Sequence, residues 1–221
     1  KRPGIKYASR ITHHASRITR LLITDFYESN YMNITIISCS IFRHEIEVYL
    51  KERNLNVIFL DSMLHMKPEK LNSSLKKIIK EEIDRHHKIL LLYGDCSPSM
   101  RDFEANEHIT RVEGINCCEI LIGREKYREL RKERVFFLIK EWLVRWKEIF
   151  EKHLGLKGDI AKTFMKEMHS YLLYLHTNFA EIPVDTLDEI SSYTGLEWKI
   201  LTVSADNIRK EIERAIENLD I

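Results

Sequence analysis

Glycine and proline are scarce in this chain, at seven and four of 221 residues. That shortage excludes long flexible linkers and favours closely packed helices. Apolar runs are short, and none approaches the roughly 20 residues a membrane helix needs. An excess charge of one sign is missing too: 35 Lys and Arg stand against 34 Asp and Glu. Such a balance gives no long-range field for nucleic acid or an anionic membrane. Neither common type of Gly-rich phosphate loop occurs, and no GxSxG elbow. The four cysteines show no CxxC spacing, so the strong local signature of a zinc site is absent.

What is present is a heavily charged but ordinary composition, 44% hydrophobic and 31% charged. A chain this long buries a sizeable core without disulfides. The first 31 residues differ from the rest. Ala8-Ser9-Arg10-Ile11-Thr12 recurs as Ala15-Ser16-Arg17-Ile18-Thr19, with His13-His14 between the copies. This is basic, low-complexity sequence, and the apolar patch Leu21-Leu22-Ile23 is too short for the core of a signal peptide. Residues 1–31 are therefore expected to be a disordered extension, with a single α/β domain over 32–221.

From Met32 the pattern alternates. Strands are predicted at Asn33–Ser38, Asn56–Leu60 and Lys88–Leu92, with a short fourth at His108–Val112. Helices are predicted at Phe42–Arg53, from Pro68 with the apolar stripe Leu71, Leu75, Ile78, Ile79 and Ile83, and over Cys117–Arg131. Short apolar strands alternating with amphipathic helices imply a doubly wound, mainly parallel sheet covered on both faces, its first strand central. The stretch 141–177 reads as a helical hairpin inserted before the last unit, with its second helix running from Asp159 through Tyr174. A final strand at Trp198–Val203 and a helix at Ile208–Leu219 follow.

The cysteines fall at telling places. Cys39 closes the first strand, Cys96 follows the third in Tyr93-Gly94-Asp95-Cys96, and Cys117 and Cys118 follow the fourth. Loops after parallel strands share one edge, where open α/β sheets bind ligands. His65 and Asp61, after the second strand, join that edge. Thiolate and imidazole are soft or borderline ligands for zinc, iron–sulfur clusters or copper(I). Cys39, His65, Cys96 and Cys117 are thus candidate metal ligands, with the sulfurs of three thiolates on one ion about 3.5–4 Å apart. Ordinary core packing competes with this reading, because free cysteine is often a small buried hydrophobe. It is the preferred reading for Cys118, which opens the apolar run Cys118, Leu121, Ile122. Without an export signal, a reducing, cytoplasmic setting is expected, which disfavours disulfides. Asp95 and Glu119 flank the cysteines as possible acid–base groups. The mixed-sign run Arg124–Arg134 reads as a solvated helix face.

These residues carry a resemblance. The opening strand ending in Cys39, His65 with Pro68 and Leu71, Tyr93-Gly94 before Cys96, and Arg111 leading to Asn116-Cys117 with Gly123 beyond are similar to the prokaryotic family known as domain of unknown function 1638. An aromatic strand before Trp142 and the Tyr174…Thr177 step add to it. The likeness runs from about Met32 to the C-terminus. Departures are Asn116, where the family often has Asp, and His176, where it has an acidic residue. The resemblance implies an intracellular protein with a Cys/His site in which Tyr93, Gly94 and Asn116 help bind a cofactor. Members are frequent in anaerobes, often beside corrinoid-dependent methyltransferase systems. Zinc or an iron–sulfur cluster, a corrinoid, and methyltransferase components are accordingly the expected cofactors and partners. Three functions compete: a metal- or cluster-binding protein, an enzyme or accessory protein of methyl transfer, and a non-catalytic binding module.

Overall fold

A computed structural model of the chain describes residues 33–219. The extension expected over 1–31 lies outside those residues. Strand β1 (Ile34–Cys39) is buried along its whole length, as suits a largely apolar, isoleucine-rich sequence in the middle of a parallel sheet. Helix α1 (Arg43–Glu52), strand β2 (Asn56–Leu60), helix α2 (Pro68–Asp84) and strand β3 (Lys88–Leu92) follow in βαβ order. Pro68 opens α2 at its first turn, where a missing N–H costs nothing. A short helix α3 (Met100–Glu104) leads to strand β4 (Ile109–Arg111). The first sheet has the order β2-β1-β3-β4 and is parallel throughout. The expected central place of β1 is observed, and the chain reverses direction across the sheet between β1 and β3.

Beyond β4 the single helix expected over Cys117–Arg131 is two. Gly123, at φ +83°, ends α4 (Cys117–Ile122) and starts α5 (Arg124–Lys132). Strand β5 (Val135–Leu138), helix α6 (Lys140–Val144) and a helical turn at Trp146–Glu148 follow, and that turn widens into a π-helical turn at Ile149–His153. Helix α7 (Gly158–Met168) then ends at His169, whose backbone is extended. The predicted helix through Tyr174 thus stops at Met168, and Tyr171–His176 is strand β6. An apolar run such as YLLYLH fits a buried helix or a buried strand equally by pattern. Here Leu172 and Tyr174 face one core while Leu173 and Leu175 face the other, the two-residue period of a strand. Helix α8 (Val184–Thr194), absent from the sequence reading, precedes β7 (Trp198–Thr202) and α9 (Asp206–Glu217). These three later strands form a second parallel sheet, β5-β6-β7, so the helices between 140 and 168 are its β5-to-β6 crossover.

The larger core gathers β1, β3, α1, α2 and, from far along the chain, Ile208, Ile212 and Ile216 of α9. The smaller one holds Trp146, Phe150, Met165, Leu187 and Ile190. Trp142 packs against both. Each fully buried side chain of this size contributes about 1.5–3 kcal/mol.

At the amino end of the first sheet sits one buried carboxylate, Glu82. Thr35 of β1 donates to its Oε2 at 2.6 Å, His87 Nδ1 lies 2.8 Å from the same oxygen, and Arg85 donates to Oε1 at 2.7 Å. Burial alone would raise this carboxyl, but the hydrogen bonds from Thr35 and His87 and the Arg85 charge outweigh it, and the group sits below its ordinary 4.5. A depressed carboxyl adds stability above its unfolded pKa and loses it as pH falls through the folded value. Glu82→Gln should therefore lower unfolding free energy by about 1–3 kcal/mol at pH 7. The deficit should shrink steadily below pH 4.5. Urea unfolding of both proteins across that range checks it, and a deficit independent of pH would contradict the ionised network.

Candidate functional site

Parallel register sets the site. Cys39 pairs with Leu60 and Ser38 with Leu92, so β1, β2 and β3 end at one level. The loops beyond them converge at the crevice where strand order reverses. Cys39 is the last residue of β1, and a 3-10 turn at Ser40–Phe42 follows it. His65 lies in a second such turn, Ser62–Met66, its ring 6.0 Å from that of Trp142. Ser40 joins these segments by accepting from Ser62 N at 3.0 Å and donating to Glu141 of α6 at 3.2 Å. Arg145 completes the seam with Asp61 at 3.1 Å.

The loops after β3 and β4 press together. Asp95 N donates to Ile115 O at 2.9 Å, and Cys96 N turns back to Gly94 O at 2.8 Å. A Cβ on Gly94 would lie 2.6 Å from the Asn116 backbone, so only glycine permits the approach. Arg111 holds the same loop, donating to Tyr93 O and pairing with Asp95 and Glu104. Asn116 caps α4 by accepting from Glu119 N at 3.0 Å, and its amide donates to the Tyr127 hydroxyl at 2.7 Å. Its side chain is thereby occupied with folding the loop.

Cys39, Cys96 and Cys117 come together, 6%, 8% and 7% exposed. Cys117 lies near enough to both of the others, and Cys96 to His65, for each to shift its neighbour's titration. The bond from Cys117 pulls the Cys96 thiol down to about 5 against the opposing effect of burial, assisted by His65 and the Gly94 backbone. Its neighbours thus favour the thiolate form of Cys96. Hydrogen bonding to its two neighbours, then burial, holds Cys117 well above the ordinary range. The bond to Cys96 raises His65 in turn, against the lowering effect of burial. Cys118 stands apart, pushed up to about 12 by burial alone and packed on the larger core.

Tyr93 belongs to the cluster. It is 3% exposed, and its hydroxyl has no hydrogen-bond partner among the described residues. Burial, then the charges of all three thiols, raises it well above 10. Sequence pattern placed Tyr93 here, but not that its polar end faces the sulfurs. Trp142 and Tyr127 support His65 and Asn116 directly. Among the described residues no three or more His, Cys, Asp or Glu form a group already placed to hold a metal ion. Nor, among these residues, is any helix long and apolar enough to cross a membrane.

A parallel α/β protein with a Cys/His cluster at a sheet's carboxyl edge is the class these features define. The chain belongs to the family described as protein of unknown function (DUF1638), whose profile matches residues 59–212. That span includes His65, Tyr93, Cys96 and Cys117 and begins beyond Cys39. No curated protein and no solved structure matches the chain significantly.

Gly94→Ala tests how the two loops are joined. The added methyl should force Asn116 and Cys117 away from Cys96, at a cost of about 1–3 kcal/mol. Thiolate ultraviolet absorbance should then appear at higher pH than the value of about 5 for Cys96 in the native protein. An unshifted titration in a folded Gly94→Ala protein would separate the thiolate from its Cys117 partner.

Proposed function

We propose that the carboxyl-edge cluster is a soft-metal site, with Cys39, Cys96 and Cys117 as thiolate donors and His65 as the fourth ligand. Its main support is the convergence of four donors from four separate loops, one of them with a lowered thiol pKa. The donor chemistry suits zinc or an iron–sulfur cluster. Binding turns the thiols from one another onto the ion and releases the protons that now join them. That rearrangement accounts for a cluster not yet grouped as a coordination shell. A cytoplasmic setting fits four free cysteines, since a reducing compartment keeps them so.

A second reading keeps the same residues and adds chemistry. The Cys96 thiolate beside His65 has the form of an activated nucleophile, as methyl transfer to or from a thiol requires. A zinc ion or a corrinoid at this edge, with methyltransferase components as partners, would place the protein in that chemistry. A non-catalytic binding module is the reading left if the cluster holds neither metal nor electrophile.

Metal analysis of protein purified without oxygen tests the first reading. Native protein and Cys118→Ala should carry equal metal, and Cys118→Ala should lose only packing, on the order of 1 kcal/mol. Ala at Cys39, Cys96 or Cys117 should each abolish retention, because no neighbour replaces a lost ligand. Equal metal content in all five proteins, or none in any after reconstitution with zinc or with iron and sulfide, would sink the proposal.

A further inference from the structure

The second sheet repeats the geometry of the first, and its own carboxyl edge is hollow. A cavity of about 460 Å³ opens where β6 and β7 end, between Thr177-Asn178-Phe179 on one side and Thr202–Asp206 with Arg209 on the other. Carboxyl edges of parallel sheets are where such folds take ligands. None of the cysteine cluster lines this cavity.

Arg209 is the residue that calls for a ligand. It is half-buried, and its Nε is buried without an acceptor among the described residues. No carboxylate among those residues pairs with its guanidinium, whose contact is the Tyr49 ring at 5.8 Å. A guanidinium keeps its charge, and a partly buried charge is unfavourable until an anion meets it. Its planar fork of donors matches a carboxylate in two parallel bonds.

The other walls narrow the class. Thr177 donates to Oε1 of Glu45 at 2.7 Å, which leaves its oxygen free to accept from the cavity side. Glu45 is itself 7% exposed, and its Oε2 has no partner among the described residues. Phe179, 44% exposed, offers an aromatic face at the rim, while buried Val203 and Ala205 make an apolar floor. Asp206 also lines the mouth and opposes an entering anion, a doubly charged one most strongly. We infer that this cavity binds a small organic monocarboxylate, its carboxylate on Arg209 and its apolar body against Phe179. The site is separate from the cysteine cluster and does not rest on metal binding there.

Titration of the full chain with benzoate, its neutral counterpart benzamide, and inorganic phosphate tests the assignment. Calorimetry gives the affinity and amide NMR shifts locate it. Benzoate should bind and shift the signals of Asn178, Ser204 and Arg209, with benzamide roughly tenfold weaker or worse, as loss of a charge-assisted contact implies. Arg209→Gln should weaken benzoate by a similar factor, and Cys96→Ser should leave it unchanged. If Arg209→Gln does not fold, Phe179→Ala, on the exposed rim, carries the same test through a several-fold loss. No benzoate binding, equal binding by the folded variant, shifts centred elsewhere, or phosphate binding as tightly as benzoate would each overturn the assignment.

Discussion

The parallel pairing of β1 with both β2 and β3 is the constraint on which the rest depends. It brings three strand ends to one level, and the thiols and the imidazole meet only because those ends coincide. A one-residue slip of β1 would turn Cys39 to the other face of the sheet. The register is secured by burial, since every residue of β1 is buried and most of its partners on β2 and β3 are apolar. At the opposite end of the same strand, Thr35 ties β1 to Glu82 of α2 and accepts from Asn56 of β2 at 3.0 Å. One strand thus carries polar anchoring at its start and sulfur chemistry at its finish.

Within the cluster, partners rather than burial decide the state of each sulfur. Cys96 is buried and Cys118 half-buried, yet the first is pulled down to about 5 and the second pushed up to about 12. The difference is that Cys96 has a thiol and an imidazole acting on it, whereas burial alone shifts Cys118. The same logic explains Tyr93, whose buried hydroxyl stands where charge would gather and is held firmly protonated.

Much of this was readable from sequence, for identifiable reasons. The strands β1, β2 and β3 are short β-branched or leucine-rich runs between clear helix stripes, and the edge rule then located Cys39, His65, Cys96 and Cys117 without any local motif. Cys118 was separable because it continues the spacing of Leu121 and Ile122. The second sheet was harder. Tyr171–His176 has no polar alternation because both of its faces are covered, so pattern could not distinguish it from the end of α7. Gly123 was visible, but one glycine in a helical stretch does not by itself announce a break. The Asn116-x-x-Glu119 spacing is a helix-start signal that fixes the opening of α4. The stranded Nε of Arg209 and the unpartnered Tyr93 hydroxyl are tertiary facts, set by neighbours distant in sequence.

Helix α9 has a consequence for how the protein is made. Its residues Ile208, Ile212, Ala215 and Ile216 complete the core around β1 and β3, which leave the ribosome much earlier. At ordinary elongation rates, on the order of ten seconds separate β4 from α9. During that interval the first sheet waits with part of its apolar surface uncovered, and its thiols already assembled or free to assemble. The nascent chain therefore passes through a sticky, incompletely roofed stage whose end is set by translation, and a pause or truncation before α9 would lengthen exposure to aggregation and to chaperones.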